Sequence, residues 1–399
     1  MNSVKLSIKY IFHKKLSSFL CFALLLVGVA TLTTATLIYK NIENNISGNS
    51  RNIDMVLGAK GSALQIILST IYHLDIPTGN ISWAEAQRIM KSPRIKTATP
   101  ISLGDSFKGY RIIGTRNSFL DIYGAKLSSG ALPSHMFDAV IGKSVAADTG
   151  LKVGDKFIGS HGLMPSDDLH TNFPYTVTGI IEPTSTVLDR LVVSTMESVW
   201  EIHSHPDEDE KEEAPKEKET TALLVTFRSP LDVINFPRTI NKNTNMQAAS
   251  PAFETTRLIS ILGIGFGTIK FFGCITVASS FLIIFMVMLN SVSERKYDIA
   301  IMRAMGAGRG KIFTIIITEV LLISLSGLIA GLALGHIFAG FAGALSRDLN
   351  GVGISGGKFF VEELYFSISI ILFSIMAALL PAIKGYRSDV SKILSGSGA

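Results

Sequence analysis

The chain has 399 residues, of which 47% are hydrophobic and only 17% are charged, and its net charge is +5. Soluble domains have about 25% charged residues, so the composition excludes a protein that is soluble throughout. The lysines and arginines cluster beside apolar segments, which indicates membrane topology and argues against nucleic-acid binding. Both cysteines, Cys21 and Cys274, fall inside apolar segments, so no disulfide framework is predicted.

Four apolar segments are long enough to cross a bilayer as helices. A helix needs about 20 predominantly apolar residues to cross a hydrocarbon layer of about 30 Å. The four segments are residues 16–39, 271–289, 312–345 and 364–383. A cleaved signal peptide is the alternative for the first segment, but a usual signal-peptide core has about 7–15 apolar residues. The greater length of this segment favours a retained anchor.

The basic residues predict which loops face the cytoplasm, since lysine and arginine concentrate on that side. They precede the first span, fill the loop between spans two and three, and follow span four: Lys5, Lys9, Lys14, Lys15, Arg295, Lys296, Arg303, Arg309, Lys311, Lys384, Arg387 and Lys392. We therefore expect both termini to be cytoplasmic and one large domain to lie outside.

This topology divides the chain into nine segments. They are a cytoplasmic amphipathic helix (1–15), span one (16–40), an extracytoplasmic domain (41–255), a stalk with span two (256–290), a cytoplasmic segment (291–311), span three (312–345), an outer loop (346–363), span four (364–384) and a cytoplasmic tail (385–399). In the first of these, Val4, Ile8, Ile11 and Phe12 fall on one helical face and the lysines on the other, which is typical of a helix lying on the membrane surface.

The extracytoplasmic domain is predicted to be α+β. Short β-prone segments alternate with turn residues at 110–113, 139–141, 175–181, 190–193 and 222–227, and helices are predicted at 82–91 and 143–148. Residues 121–200 are predicted to be an inserted β-rich subdomain flanked by the halves of a second one. The apolar stretch 61–71 is either a surface for lipid or a partner, or the core face of an ordinary helix.

An acidic, low-complexity insert covers residues 203–219, and such charge blocks are typical of solvated loops. His203 and His205 beside its carboxylates are weak candidates for a divalent cation. The segment lacks the ligand spacing of a closed zinc site.

Two glycine-rich segments superficially suggest nucleotide binding. In 306–311 the glycine spacing is one residue short, and Ile312 stands where a phosphate loop needs Ser or Thr. The second segment, 263–267, opens a membrane helix. No catalytic constellation is present, so we expect no enzymatic activity and no cofactor bound by this chain.

The cytoplasmic segment 293–307 is short and amphipathic. Ile299, Met302 and Met305 can share one helical face, and Gly306 can end the helix. Such a helix either lies in the headgroups or inserts into a groove of a cytoplasmic partner.

The motif in this segment resembles the cytoplasmic signature of the FtsX-like/MacB-like permeases of ABC transporters, whose usual form is ERxxEIGxxRAxGA. The chain departs from it conservatively at Asp298 and Ala300. The one-plus-three order of spans, the large domain after span one and the closing motif at 381–390 extend the resemblance. The matching positions are Glu294, Arg295, Asp298, Ile299, Ala300, Arg303, Ala304, Gly306 and Ala307.

The resemblance implies a non-catalytic membrane subunit in a bacterial inner membrane. It implies a dimer with a second copy or a paralogue, and two copies of a separate ATPase that uses ATP and Mg²⁺. The segment after span two would be the coupling helix that docks on this ATPase. The residues expected to serve the coupling are Glu294, Arg295, Asp298, Ile299, Met302, Arg303, Gly306 and Ala307.

Span three carries two further candidates. Gly327, Gly331 and Gly335 recur at four-residue spacing, which predicts a tight helix–helix contact and offers a candidate dimer seam. Glu319 is an intramembrane carboxylate, which is costly and therefore either functional or bonded to the interface or a neighbouring helix.

Three functions are compatible with these observations. The leading one is a permease that extracts or exports a lipoprotein, lipid, peptide or amphipathic compound through ATPase-driven motion. The second is a regulatory transmitter that activates a periplasmic enzyme or sensor, and the third is a component of a zinc-linked transport system. A periplasmic or lipoprotein partner and membrane lipids are the other expected partners.

Overall fold

The computed structural model describes residues 3–162, 172–204, 217–348 and 354–387. The chain forms two compact units. The membrane unit comprises Met1–Ile42 with Ile261–Ala399, and the globular unit is Glu43–Ser260.

The described helices and strands have the following bounds. The helices are α1 (Ser3–His13), α2 (Lys15–Asn49), α3 (Ala63–Thr70), α4 (Trp83–Met90), α5 (Ser118–Ile122), α6 (Lys143–Thr149), α7 (Met196–Ser204), α8 (Pro230–Asn243), α9 (Pro251–Glu294), α10 (Lys296–Ala304), α11 (Arg309–Asp348) and α12 (Val361–Tyr386). The strands are β1 (Met55–Ala59), β2 (Ile81–Ser82), β3 (Ile95–Phe107), β4 (Tyr110–Thr115), β5 (Leu127–Gly130), β6 (Asp138–Ile141), β7 (Lys156–Phe157), β8 (Ser160–His161), β9 (Tyr175–Ile181), β10 (Leu191–Thr195), β11 (Glu219–Thr220), β12 (Ala222–Phe227) and β13 (Met246–Ala249).

Among the described residues, α2, α9, α11 and α12 are long and apolar enough to cross a membrane. They coincide with the four predicted spans, one before and three after the strands of the globular unit. The helices extend beyond the apolar segments; α9 alone has 44 residues. No proline or left-handed glycine interrupts its polar first turns, so the helical hydrogen bonds continue from Pro251 onward.

Apolar clusters join the four long helices of the membrane unit. One cluster contains Cys21, Ile284, Met288, Val320, Ile323 and Ala378, with Ile11 of α1 packed against it. Ile11 therefore faces the protein, in contrast to its predicted place on the lipid side with Val4, Ile8 and Phe12, which are exposed.

The globular unit is built on a mixed sheet. Its strand order is β13-β1-β12-β3-β4-β10-β6-β9-β5, with β7 paired to β9 and β8 paired to β3. The pairs β4–β10 and β6–β9 are parallel, and the other pairs are antiparallel. All five predicted strands and both predicted helices are present, which confirms the α+β prediction.

Two cores lie along this sheet. The first core combines residues from the beginning and the end of the unit's sequence, such as Leu57 and Leu223. The second core combines β4 with residues between 139 and 202. The core of the inserted segment 121–200 thus also includes residues of β4, and its strands continue the common sheet through the β4–β10 pair. In α3, Ile66 and Ile67 are buried, so the core-face interpretation of residues 61–71 is correct.

Candidate functional site

The candidate site is built around α10, the short helix between α9 and α11. Asp298 lies in its first turn and Arg303 in its last turn, where each charge complements the helix dipole. At its end, the Gly306 N–H donates to the Arg303 carbonyl at 3.0 Å and the Ala307 N–H donates to the Met302 carbonyl at 2.9 Å. Gly306 has φ +95°, a left-handed conformation that glycine adopts without strain. This turn ends α10, and α11 begins at Arg309.

The inner face of α10 packs against the membrane unit. Ile299, Ala300 and Met302 are buried. The cluster of Ile299 and Met302 also contains Val292, Ile312, Ile316 and Ala382, with Leu6, Ala307, Phe313 and Ile317 packed against it. Ile299 and Met302 therefore anchor the helix to its own chain and are not available to a partner.

The outer face of α10 is exposed and also apolar. Tyr297 is 60% exposed, Ile301 is 49% exposed and Met305 is 72% exposed. Residues four apart lie on one side of a helix, so these three side chains form a continuous stripe, which we call the docking face. Sequence reasoning had grouped Met305 with Ile299 and Met302. The four-residue spacing of Tyr297, Ile301 and Met305 was the signal that it missed.

A buried ion pair joins the start of α10 to span three. The Arg295 guanidinium donates to Glu319 through Nη1–Oε2 at 3.0 Å and Nη2–Oε1 at 3.2 Å. The Arg295 side chain is only 12% exposed and that of Glu319 only 3%. Two parallel, charge-assisted hydrogen bonds fix both the distance and the orientation of the two groups. The structure thus shows Glu319 bonded to a neighbouring segment, one of the two interpretations of this carboxylate.

The first helix, α1, closes over this ion pair. The Tyr10 ring lies 3.9 Å from the Arg295 guanidinium, and Lys14 forms an ion pair with Glu294. Ser7 Oγ donates to the Ile315 carbonyl of α11 at 3.0 Å. Burial raises the pKa of the Tyr10 hydroxyl, and the Asp298 carboxylate raises it further, so the hydroxyl keeps its proton. Through these contacts α1, α10 and α11 hold one another.

The remaining coupling candidates lie at the edge of this arrangement. Asp298 is exposed, and Arg303 is half-buried. Ala307 packs against the inner cluster. The eight predicted residues therefore surround α10 and its two ends, with most of the apolar ones turned inward.

Family models match most of the chain. The MacB-like periplasmic core domain matches residues 18–236, more than half of the chain, and the FtsX-like permease C-terminal model matches residues 270–390. The chain belongs to the MacB-like and FtsX-like permease family of ABC transporters.

Solved structures similar to parts of this permease include two domains of other transporters. The periplasmic region of MacB from Actinobacillus actinomycetemcomitans is 13% identical, covers 54% of this chain and 95% of its own, and gives a TM-score of 0.35. The extracellular domain of the noncanonic ABC-type transporter YknZ from Gram-positive bacteria is 10% identical. Its match covers 49% of this chain and 99% of its own, with a TM-score of 0.32. No curated protein sequence matches the permease significantly.

The glycine stripe of span three packs inside the permease. Gly327, Gly331 and Gly335 face α2, where the nearest side chains are those of Leu25, Val29 and Thr33 respectively. A Cβ placed at Gly331 would lie 2.6 Å from the Val29 Cβ. The close contact is therefore between spans three and one of the same chain. This side of α11 is already occupied and cannot form the candidate seam between two copies.

The weak metal candidates are not settled by the structure. His205 and most of the acidic insert lie outside the described residues, as does the side chain of His203. Within the described ranges no group of three or more His, Cys, Asp or Glu residues could hold a metal ion.

Proposed function

We propose that this permease is the membrane subunit of a bacterial ABC transporter and that the docking face of α10 receives a separate ATPase. The observation that carries the proposal is the division of α10 into two apolar faces. One face is buried in the chain, and the other presents Tyr297, Ile301 and Met305 to the surroundings. Aromatic residues and methionine are enriched in the cores of protein interfaces.

The anchoring of α10 supports a role in transmitting force. A helix that only floated in the headgroups would not need a bidentate buried ion pair, whose desolvation is costly unless the geometry is excellent. Here Arg295 and Glu319 tie the first residue before α10 to the interior of span three. A displacement of the docking face would therefore move α11 with it.

The spans themselves support motion more than conduction. Within the apolar segments 16–39, 271–289, 312–345 and 364–383, the buried carboxylate Glu319 is paired with Arg295, and the other buried polar side chains are hydroxyl groups. At the start of α12, the buried Glu363 carboxylate is paired with His336. Ser280 and Ser374 donate to carbonyls of their own helices. We infer that ATP binding and hydrolysis by the partner, which uses Mg²⁺, move the spans and through them the globular unit.

The family context suggests the remaining features of the assembly. We propose a dimer with a second copy or a paralogue, two copies of the ATPase, and an inner-membrane location with both termini in the cytoplasm. The cargo would be a lipoprotein, lipid, peptide or amphipathic compound that the globular unit extracts or expels.

Affinity purification from native membranes tests the proposal. The tagged chain should bring down a protein with an ABC ATPase domain, identified by mass spectrometry. Ile301→Asp places a charge in the centre of the docking face, where truncation of a hot-spot residue costs about 2 kcal/mol or more, so we expect at least about a 30-fold loss of binding. Ile76→Asp, on an exposed site of the globular unit, is the matched control and should bind normally. Equal recovery of the ATPase with Ile301→Asp would contradict the proposal.

A further inference from the structure

The two sides of α1, called here its two lengthwise halves, have different surroundings. One half faces the protein: Ser7 is buried, Tyr10 contacts Arg295, and Lys14, directly after the helix, pairs with Glu294. The other half is exposed and carries no role in the coupling site. Its exposed members are Val4, Lys5, Ile8, Lys9, Phe12 and His13.

The exposed half has an ordered arrangement of apolar and basic side chains. Val4, Ile8 and Phe12 are four residues apart and form one apolar stripe along the helix. Lys5 and Lys9 each follow a member of that stripe by one residue, so they form a basic stripe that is turned about 100° around the helix and borders the apolar stripe. An apolar stripe that enters the acyl region beside ammonium groups that meet phosphates is the pattern of an in-plane helix on anionic lipid.

The position of α1 in the chain selects a lipid surface over a soluble protein groove. α1 ends at His13, and the membrane-length helix α2 begins at Lys15. A single intervening residue keeps the His13 end of α1 close to the bilayer boundary, because consecutive Cα atoms are about 3.8 Å apart. Farther along α1, the hydrogen bond from Ser7 to the Ile315 carbonyl holds the helix against span three. The chemistry of the stripe and its location therefore agree on one occupant, an anionic phospholipid surface.

We propose that α1 is an anionic-lipid sensor that stabilises the seated position of α10. In this position, Tyr10 contacts Arg295 and Lys14 pairs with Glu294. Lipid binds the exposed half of α1, and the opposite half of the same helix holds Arg295 and Glu294. Lipid binds α1 more tightly when α10 is seated, so lipid favours seated α10, and by linkage seated α10 favours lipid binding to the same degree. The importance of α10 rests on the proposed function; the link between lipid and α10 does not.

The size of the effect follows from the two lysines. A lysine near an anionic surface contributes about fivefold to binding. Replacing both Lys5 and Lys9 should therefore weaken the contact of α1 with anionic lipid by about 25-fold. Both side chains are exposed, so their replacement by glutamine should leave the fold intact.

Hydrogen–deuterium exchange on the full-length chain provides the test, in vesicles of phosphatidylcholine with and without phosphatidylglycerol. We expect phosphatidylglycerol to slow amide exchange in residues 296–304 several-fold in the unaltered protein. The double variant Lys5→Gln/Lys9→Gln should lose this protection. The matched control Lys91→Gln/Lys96→Gln removes the same charge from exposed sites of the globular unit and should keep it.

Three results would overturn the inference: exchange that ignores phosphatidylglycerol, equal protection in the Lys5→Gln/Lys9→Gln variant, or loss of protection in the control. No ATPase is present in these vesicles. Failure here therefore leaves the docking of an ATPase untouched, and failure of Ile301→Asp to lose the ATPase leaves the lipid effect untouched.

Discussion

The ion pair between Arg295 and Glu319 permits a quantitative prediction. Glu319→Gln removes the negative partner and leaves a guanidinium that is only 12% exposed. Removing one partner of a buried pair costs about 3–5 kcal/mol, because the remaining charge is uncompensated. The Tyr10 ring, 3.9 Å from the guanidinium, continues to stabilise the cation and offsets about 1 kcal/mol. We therefore expect a loss of about 2–4 kcal/mol in the free energy of unfolding.

Unfolding of the purified chain by SDS in mixed micelles would measure this loss. The control is Glu362→Gln, which breaks the pair between Lys40 and Glu362, whose side chains are 28% and 43% exposed. An exposed pair contributes at most about 1 kcal/mol. The exchanged variant Arg295→Glu/Glu319→Arg should recover part of the stability by restoring opposite charges. If Glu319→Gln cost no more than Glu362→Gln, the ion pair could not be the joint between α10 and span three.

Three further predictions concern other parts of the structure. Gly331→Ala should destabilise the α2–α11 contact by about 1–3 kcal/mol, because the added Cβ would clash with Val29. The control Gly265→Ala should not destabilise the fold, because no atom outside the surrounding helix lies within 4 Å of its added Cβ. Equal stability of the two variants in SDS unfolding would contradict this prediction. Burial lowers the pKa of His73 to about 3, below its unfolded value of about 6.5, so its contribution to stability should be complete above pH 6.5 and lost as pH falls towards 3. Asparagine tolerates the left-handed φ of +55° at this position, so His73→Asn should remove that part of the pH dependence in urea unfolding. An unchanged dependence of stability on pH would refute the role of His73. His336→Leu leaves an oxygen of the buried Glu363 carboxylate without its 2.9 Å partner and should cost about 1–3 kcal/mol in the same SDS assay; no loss would show that the bond does not stabilise the fold.

The spans and the strands could be predicted because their signals are local. Twenty apolar residues require a membrane or a core, and the β-prone segment at 175–181 is recognisable by its own residues. The motif around α10 was likewise visible in one short segment. The order of strands was not predictable, because β4 pairs with β10, about 80 residues away along the chain, and such pairing depends on the whole sheet.

The orientation of α10 could not be read from the sequence. Both Ile299 with Met302 and Tyr297 with Ile301 satisfy a helical period, so periodicity alone leaves two apolar faces. In the structure Ile299 and Met302 face inward, packed with residues of α9, α11 and α12, and Arg295 pairs with Glu319. That partnership is tertiary, and so is the contact of Gly331 with Val29, which replaces the expected contact between copies.

The docking face of α10 can be tested directly by site-specific photo-cross-linking in native membranes. A photoreactive amino acid at position 301 should cross-link to a protein that carries an ABC ATPase domain, and one at position 76 of the globular unit should not. Cross-links from position 301 only to lipid, or only to another copy of this chain, would contradict the account.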